Sequence, residues 1–185
     1  RAQAFGITSE GSPVFITGTD YLEINGKKLE LIYRNSLQKL LKEIETKGYE
    51  NVIEEVAYTW FNRLIAIRFM EVNNYLPSKI RVLSSEIKGK IDPDILTDYR
   101  YADLPVDKEE VEKVIAQGNR EEAFRKLLVA QCNQLHEIMP FLFEKLADYT
   151  ELLLPESSLH ADSLINKLVH ELKEDTQKLK AFTRE

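Results

Sequence analysis

Apolar residues recur every three or four positions over most of the chain, which is the spacing of amphipathic α-helices. This spacing predicts a first helix from Glu30 to Thr46, which Gly48 ends. A second predicted helix, from Asn51 to Asn73, is apolar around much more than one face. A surface position would leave too much of that apolar area in water, so the pattern indicates the central helix of the fold.

Helix-start and helix-stop residues define two shorter helices. Asp92-Pro93 has the form of an N-cap followed by proline, and it predicts a helix through Tyr99. Asp107, with Glu110 three residues later, predicts the start of another helix, which Gly118 ends.

The later part of the chain predicts longer helices. A helix from Arg120 to Met139 is followed by a break or kink at Pro140 and by further helical sequence from Phe141 to Leu153. A last helix contains residues 164–172 and has a charged continuation. Residues 78–87 fit either a short helix or an irregular segment.

The first 28 residues differ from the rest, because glycines separate short runs of β-forming residues. Pro13 to Ile16 and Tyr21 to Ile24 are such runs, and Asn25-Gly26 is a favourable turn, so a small hairpin is expected. The predicted fold class is mainly α, an irregular multi-helix bundle with a small N-terminal β-hairpin. The predicted domains are a β-hairpin or extended segment at 1–28 and a helical accessory domain at 29–185.

Composition indicates an intracellular globular protein. Hydrophobic residues make up 43% and charged residues 30% of the 185 positions, which is ordinary globular usage. The one cysteine, Cys132, allows no intrachain disulfide. Neither a membrane-spanning run nor a signal peptide is visible, so we expect a cytoplasmic location without membrane contact. Because the chain starts at Arg1 and stops at Glu185 within a helical pattern, we expect it to be part of a longer protein.

The common kinds of catalytic or ligand site are not indicated. Cys132 and His136 are four residues apart, but no second pair of ligands accompanies them for zinc. The glycine patterns of phosphate loops, dinucleotide sites and hydrolase nucleophiles do not occur. We therefore predict no catalytic, metal-binding or cofactor-binding residue in this chain.

Two arginines of the second helix are candidates for contact with DNA or a protein partner. Arg63 and Arg68 lie in strongly apolar sequence, where a buried guanidinium needs a paired charge. Glu71 follows Arg68 by three residues, and Glu55 precedes Arg63 by two turns. Structural pairing and contact with a partner both remain open for these arginines.

A second group of cations lies close together in the sequence, and we call it the basic strip: Lys79, Arg81, Lys88 and Lys90. Its cations could meet a phosphate backbone although the chain carries a net charge of −6, or they could form a merely solvated face. Arg100 is a further candidate, and its neighbours Tyr99 and Tyr101 could equally serve packing.

One block of the second helix, from Ala57 to Glu71, reads AYTWFNRLIAIRFME and is followed by Leu76-Pro77. It resembles a stretch near the N-terminus of the adenine-specific DNA methyltransferases of BREX phage-defence systems, the PglX-like family. Flanking pieces occur in a similar order: Gly6-Ile7-Thr8, Asp92-Pro93, Leu152 to Pro155, and Asp162-Ser163. The resemblance covers most of the chain.

The resemblance implies an N-terminal helical region that precedes a methyltransferase core. Full-length members transfer a methyl group from S-adenosylmethionine to adenine N6 of DNA, in a defence system that resembles restriction-modification. Their chemistry uses a Gly-rich cofactor loop and an Asn/Asp-Pro-Pro-Tyr/Phe motif, of which Asp92-Pro93-Asp94 shares only the first two residues. S-adenosylmethionine is thus implied for the parent protein and no cofactor for this chain.

Two functional hypotheses follow from these observations. The first is a helical accessory domain that packs against the methyltransferase core of the same chain and helps to place DNA or other defence proteins. The second, which the acidic balance favours, is a protein–protein interaction module without DNA contact. An independent hydrolase would require a deep cleft lined by converging titratable groups.

Overall fold

The structure is a computed structural model that describes residues 2–11, 16–17, 21–24, 27–30, 33–143, 148–155 and 157–172. Within these ranges the chain is mainly α, as predicted. The seven α-helices of the described residues are α1 (Tyr33–Lys47), α2 (Tyr49–Val72), α3 (Ile95–Asp98), α4 (Lys108–Ala116), α5 (Arg120–Ile138), α6 (Asp148–Leu152) and α7 (Leu164–Glu171). Short 3-10 helices cover Ala2–Phe5 and Tyr99–Tyr101.

Three short strands precede α1 along the chain. β1 (Ile16–Thr17), β2 (Tyr21–Ile24) and β3 (Lys27–Glu30) pair antiparallel in that order, with Tyr21 opposite Glu30. The predicted turn at Asn25-Gly26 and residues 13–15 lie outside the described residues. The hairpin with its turn therefore stays a prediction.

The chain forms two compact units. Unit 1 comprises residues 1–60 and 146–155, and unit 2 comprises residues 61–145 and 156–185. Helix α2 contributes its first half to unit 1 and its second half to unit 2. The predicted boundary between a segment at 1–28 and a helical domain at 29–185 differs from these two units and stays a prediction.

Unit 1 is built around α1, which packs against α6. Its buried apolar cluster contains Ala2, Phe5, Ile7, Leu37, Leu40, Val52 and Leu152. Gly48 adopts φ +86° directly after α1, and its amide donates to the carbonyl of Ile44 at 2.8 Å. The predicted end of the first helix at this glycine is confirmed, because only glycine takes this left-handed conformation without strain.

Unit 2 is centred on α5, which packs against α3 and α4. The carboxylate of Asp107 accepts hydrogen bonds from the amides of Glu109 and Glu110 at 2.9 and 3.2 Å, and Gly118, at φ +79°, follows the end of α4. Both predicted boundaries of this helix are confirmed. The long helix α5 ends at Ile138, before the predicted break at Pro140.

The structure changes the predictions for Asp92, for residues 78–87 and for residues 141–153. The N-cap predicted at Asp92 is wrong, because α3 begins only at Ile95 and the carboxylate of Asp92 pairs with Arg120 at 2.7 Å. Residues 73–94 contain no helix, which decides for the irregular alternative at 78–87. Residues 141–143 form a turn and 148–152 form α6, while 144–147 and the continuation after residue 172 lie outside the described residues.

Candidate nucleic-acid interface

The irregular segment 73–94 of unit 2 is shaped by the buried carboxylate of Glu71. This carboxylate accepts four hydrogen bonds: from Arg68 Nη1 at 2.7 Å, the amides of Val82 and Leu83 at 2.9 and 2.8 Å, and Ser84 Oγ at 2.9 Å. Of the two alternatives left open for Arg68, structural pairing with Glu71 is present. Hydrogen bonds to an ionised group are stronger than those between neutral groups. Glu71 therefore fixes the backbone of residues 82–84 beside α2.

Arg68 links this segment to the C-terminal end of α7. Its Nε donates to the carbonyl of Leu172 at 3.2 Å and its Nη2 to that of Val169 at 3.5 Å. The last carbonyls of a helix lack partners within the helix, and a guanidinium near them also suits the helix dipole. Arg68 thus connects Glu71 and Ser84 with the C-terminal end of α7.

Helix α7 itself is fixed at its other end. The carboxylate of Glu121 accepts hydrogen bonds from the backbone amides of Ser158 and Leu159, both at 2.9 Å. Ser163 is the N-cap of α7 and accepts from the amide of Asn166 at 3.1 Å. Side chains of unit 2 therefore hold α7 at its C-terminal end and hold the segment that precedes it.

A second carboxylate, Asp94, organises the turn at residues 85–90. It accepts from Ser85 Oγ at 2.6 Å, the amide of Glu86 at 2.8 Å and Lys90 Nζ at 2.9 Å. Burial raises the pKa of Asp94, but these three hydrogen bonds outweigh burial and bring the pKa below its ordinary value. The charged form of Asp94 is thus the one that the folded turn favours.

This lowered pKa predicts a specific loss of stability in acid. A carboxyl whose pKa is lower in the folded state stabilises the fold above its unfolded pKa of about 3.9. That contribution disappears as the pH falls through the folded pKa. We expect Asp94→Asn to be less stable than the unmodified chain near neutral pH, and the difference to shrink by about pH 3.

Urea unfolding at both pH values measures this difference, and Asp103→Asn is the matched control on an exposed carboxylate. A stability difference for Asp94→Asn that stays constant between the two pH values would contradict the assignment.

Unit 2 contains an open cleft of about 480 Å³, which we call the basic cleft. It lies between two walls: the loop wall, formed by residues of the segment 81–91 beside α2, and the wall formed by α7. Arg68, Arg81, Lys88 and Lys90 line it from the α2 and loop side, and Asn166 and His170 line it from α7. Among the described residues, no acidic side chain lines this cleft. In a chain of net charge −6, this grouping of cations is a local exception.

The seven candidate cations occupy different surroundings. Arg68, Arg81, Lys88 and Lys90 converge on the basic cleft, and the other three do not line it. Arg63 is buried, Lys79 donates to the carbonyl of Asn74 at 2.6 Å, and Arg100 pairs with Glu112.

The cations of the cleft differ in their own pairing. Arg68 and Lys90 are held by Glu71 and Asp94 as described, and Arg81 lies 3.7 Å from Glu86. Lys88 is exposed and has no hydrogen bond or ion pair with any residue that the structure describes. Lys88 is therefore the side chain best placed to meet an anion, and Arg81 is a second cation of the cleft lining.

Reasoning from the sequence missed the α7 side of the cleft and two exposed apolar residues of its loop side, Ile87 and Ile91. The only signal for the latter was that they flank Lys88-Gly89-Lys90. For Asn166 and His170 no local signal exists, because they lie about eighty residues further along the chain.

Two further features of the described part of the chain concern metal ions and membranes. There, no three His, Cys, Asp or Glu side chains are grouped to hold a metal ion. Cys132 is buried, and His136 Nδ1 lies 2.6 Å from the carbonyl of Phe143. None of the described helices is both long and apolar enough to span a bilayer.

Comparison with known proteins relates this chain to larger proteins. No protein-family model matches it. The adenine-specific methyltransferase BrxX of Escherichia coli O9:H4 (strain HS) is 38% identical over 148 residues, which cover 75% of this chain and 12% of that protein. The adenine-specific methyltransferase PglX of Lacticaseibacillus casei (strain Zhang) is 41% identical over 198 residues, which cover 95% of this chain and 16% of that protein. The chain spans less than a fifth of the length of either relative. The resemblance seen in the Ala57–Glu71 block is thus confirmed, and the chain is homologous to a small part of the adenine-specific methyltransferases BrxX and PglX.

Proposed function

We propose that this chain is a non-catalytic helical domain of an S-adenosylmethionine-dependent adenine-N6 DNA methyltransferase of a BREX phage-defence system. Its role is to help position DNA by holding the phosphate backbone in the basic cleft. The homology to BrxX and PglX supports an adenine-specific methyltransferase as the parent protein. The observation that carries the DNA contact is the cleft lining, which contains four cations and no described acidic side chain. Arg68 and Lys90 are paired with Glu71 and Asp94, whereas Lys88 is exposed and has no such partner among the described residues.

The chemistry of the cleft suits phosphate diesters. A guanidinium and ammonium groups bind phosphate oxygens through charge-assisted hydrogen bonds, and they release condensed counterions from the duplex. Glu71 and Asp94 order the loop before DNA arrives, so binding immobilises less of the chain. The charge contact carries no sequence information, which leaves recognition of the target site to other parts of the parent protein.

Methyl transfer is not assigned to this chain. The sequence contains neither a Gly-rich cofactor loop nor the Asn/Asp-Pro-Pro-Tyr/Phe motif. In our proposal S-adenosylmethionine binds to the methyltransferase core of the same parent protein, and that core and other defence proteins are the partners of this domain.

The proposal is tested by the salt dependence of duplex binding. We expect the chain to bind a short fluorescent DNA duplex, with an affinity that falls steeply between about 50 and 200 mM salt. The double substitution Arg81→Gln/Lys88→Gln should weaken binding to all sequences and reduce the salt slope by about two, which is one for each lost phosphate contact.

The control removes the same charge elsewhere, with Lys42→Gln/Lys113→Gln on exposed helix surfaces. Equal losses in both double variants would mean that the overall charge, and not the basic cleft, governs binding. Salt-independent binding would also overturn the proposal.

The second candidate function, a protein–protein interaction module without DNA contact, is favoured by exposed apolar side chains at the end of α5. Ile138, Phe141 and Leu142 all lie at the surface of unit 2. Exposed apolar groups that lie together commonly mark a protein contact. If this function holds, the chain fails to bind duplex DNA even at low salt, and Phe141→Ser abolishes its binding to the purified remainder of the parent protein.

A further inference from the structure

Two isoleucines are exposed where the basic cleft opens to solvent. Ile87 is 64% exposed and Ile91 is 56% exposed, and both line the cleft beside Lys88 and Lys90. Single exposed apolar residues are normal on protein surfaces. Here two β-branched side chains flank a cationic turn, so the surface combines apolar and positive groups in one place.

The turn that carries them is held firmly. The amide of Lys90 donates to the carbonyl of Ile87 at 3.1 Å, and Gly89 adopts φ +85° at the tip. The amide of Ile87 donates to Ser85 Oγ at 3.0 Å, and Ser85 is itself bound to Asp94. The isoleucines are thus presented to solvent by an ordered turn, which the Asp94 contacts fix from within.

We propose that this turn enters the minor groove of duplex DNA, an inference that rests on the proposed phosphate contact. Ile87 and Ile91 lie against sugars and base edges, while Arg81 and Lys88 hold the flanking phosphates. Aliphatic side chains make no hydrogen bonds, so they cannot use most of the donor and acceptor code of the major groove. Proteins that bind the minor groove use Arg and Lys there, and they frequently insert apolar side chains such as isoleucine between base steps.

The charge around the isoleucines argues for DNA as the occupant. An apolar protein surface placed over them would also cover Lys88 and remove its ammonium group from water without a partner, which is costly. A nucleic-acid groove offers apolar sugar surface and phosphate oxygens together. One ligand then contacts the two exposed isoleucines through its sugars and the neighbouring cations through its phosphates.

The test compares Ile87→Ser/Ile91→Ser with the unmodified 185-residue chain on a short A·T-rich duplex. We expect the affinity to fall about tenfold, because partial burial of two isoleucines is lost. The salt slope should stay unchanged, because no phosphate contact is removed. Netropsin, which occupies the minor groove, should displace the chain from the duplex.

The matched control is Ile138→Ser/Leu164→Ser, because these residues are similarly exposed, at 57% and 54%, and do not line the basic cleft. Circular dichroism of each variant confirms that the helices are retained. The control should bind as the unmodified chain does.

The outcomes separate this inference from the proposed function. If the isoleucine variant binds normally while Arg81→Gln/Lys88→Gln loses salt slope, the phosphate contact stands and groove insertion is wrong. If neither double variant affects binding, both proposals fail. Preference for duplex RNA also overturns the inference, because the minor groove of the A-form is wide and shallow.

Discussion

Replacing Arg68 with methionine is expected to lower the free energy of unfolding by about 3–5 kcal/mol, because the carboxylate of Glu71 stays buried without its cation. The side chains of this pair are only 4% and 0% exposed, at an N–O distance of 2.7 Å. The substitution also removes the donors that reach the end of α7. Urea unfolding followed by circular dichroism measures the change.

The matched control is Arg120→Met, because Arg120 pairs with Asp92 at the same 2.7 Å but has a half-exposed side chain. Surface pairs contribute roughly 0.2–1 kcal/mol, so the control should change stability little. Similar losses for both variants would contradict the role assigned to burial.

A double substitution, Arg68→Met/Glu71→Leu, extends this prediction. It removes both charges, so its loss should be smaller than the sum of the two single losses. It should nevertheless remain destabilised, because the amides of Val82 and Leu83 lose their acceptor. Strictly additive losses would show that the two charges do not depend on each other.

Replacing Phe124 with alanine is expected to cost about 3–5 kcal/mol, because it opens a cavity in the core of unit 2. Phe124 is 0% exposed on the face of α5 that also buries Ala123, Leu127 and Leu128. The measurement is the shift of the urea midpoint at an unchanged slope of the transition.

Phe141→Ala is the control for the same chemical change at the surface, since Phe141 is 83% exposed. Its effect should stay within about 0.5 kcal/mol. A large loss at Phe141, or a small loss at Phe124, would contradict the burial described for unit 2.

Much of the helical structure could be predicted because local patterns encode it. The apolar spacing placed α2 and α5 within about two residues of their ends. The cap at Asp107 and the glycines at 48 and 118 act on their nearest neighbours, so short sequence windows reveal them. In each case the side chain and the backbone group that it serves lie within one helical turn.

The irregular segment 73–94 could not be predicted for the opposite reason. Its course depends on Glu71, which reaches amides 11 and 12 residues away, and on Asp94, which reaches back to Glu86. Asp92 and Asp94 look alike in sequence as helix caps. The carboxylate of Asp94 holds the preceding turn and makes no cap hydrogen bond to α3, which starts at Ile95.

The candidate site was predictable only where its residues are close in sequence. Arg81, Lys88 and Lys90 belong to one short segment, so the sequence could group them, although it could not show that they line a cleft. Lys79 does not line the cleft, and its backbone is left-handed, at φ 60°, a conformation that lysine seldom adopts and that the sequence did not indicate. The wall formed by α7 depends on long-range packing, which no local pattern reports.

The two sets of contacts made by Arg68 also set the order in which the basic cleft is completed on the ribosome. Its contacts with Glu71 and Ser84 span 3 and 16 residues, whereas those with Val169 and Leu172 span 101 and 104. At a synthesis rate of about 5–20 residues per second, the loop wall is available several seconds before α7 is made. The Glu71 carboxylate is therefore available to pair with Arg68 before the carbonyls of α7 are synthesised.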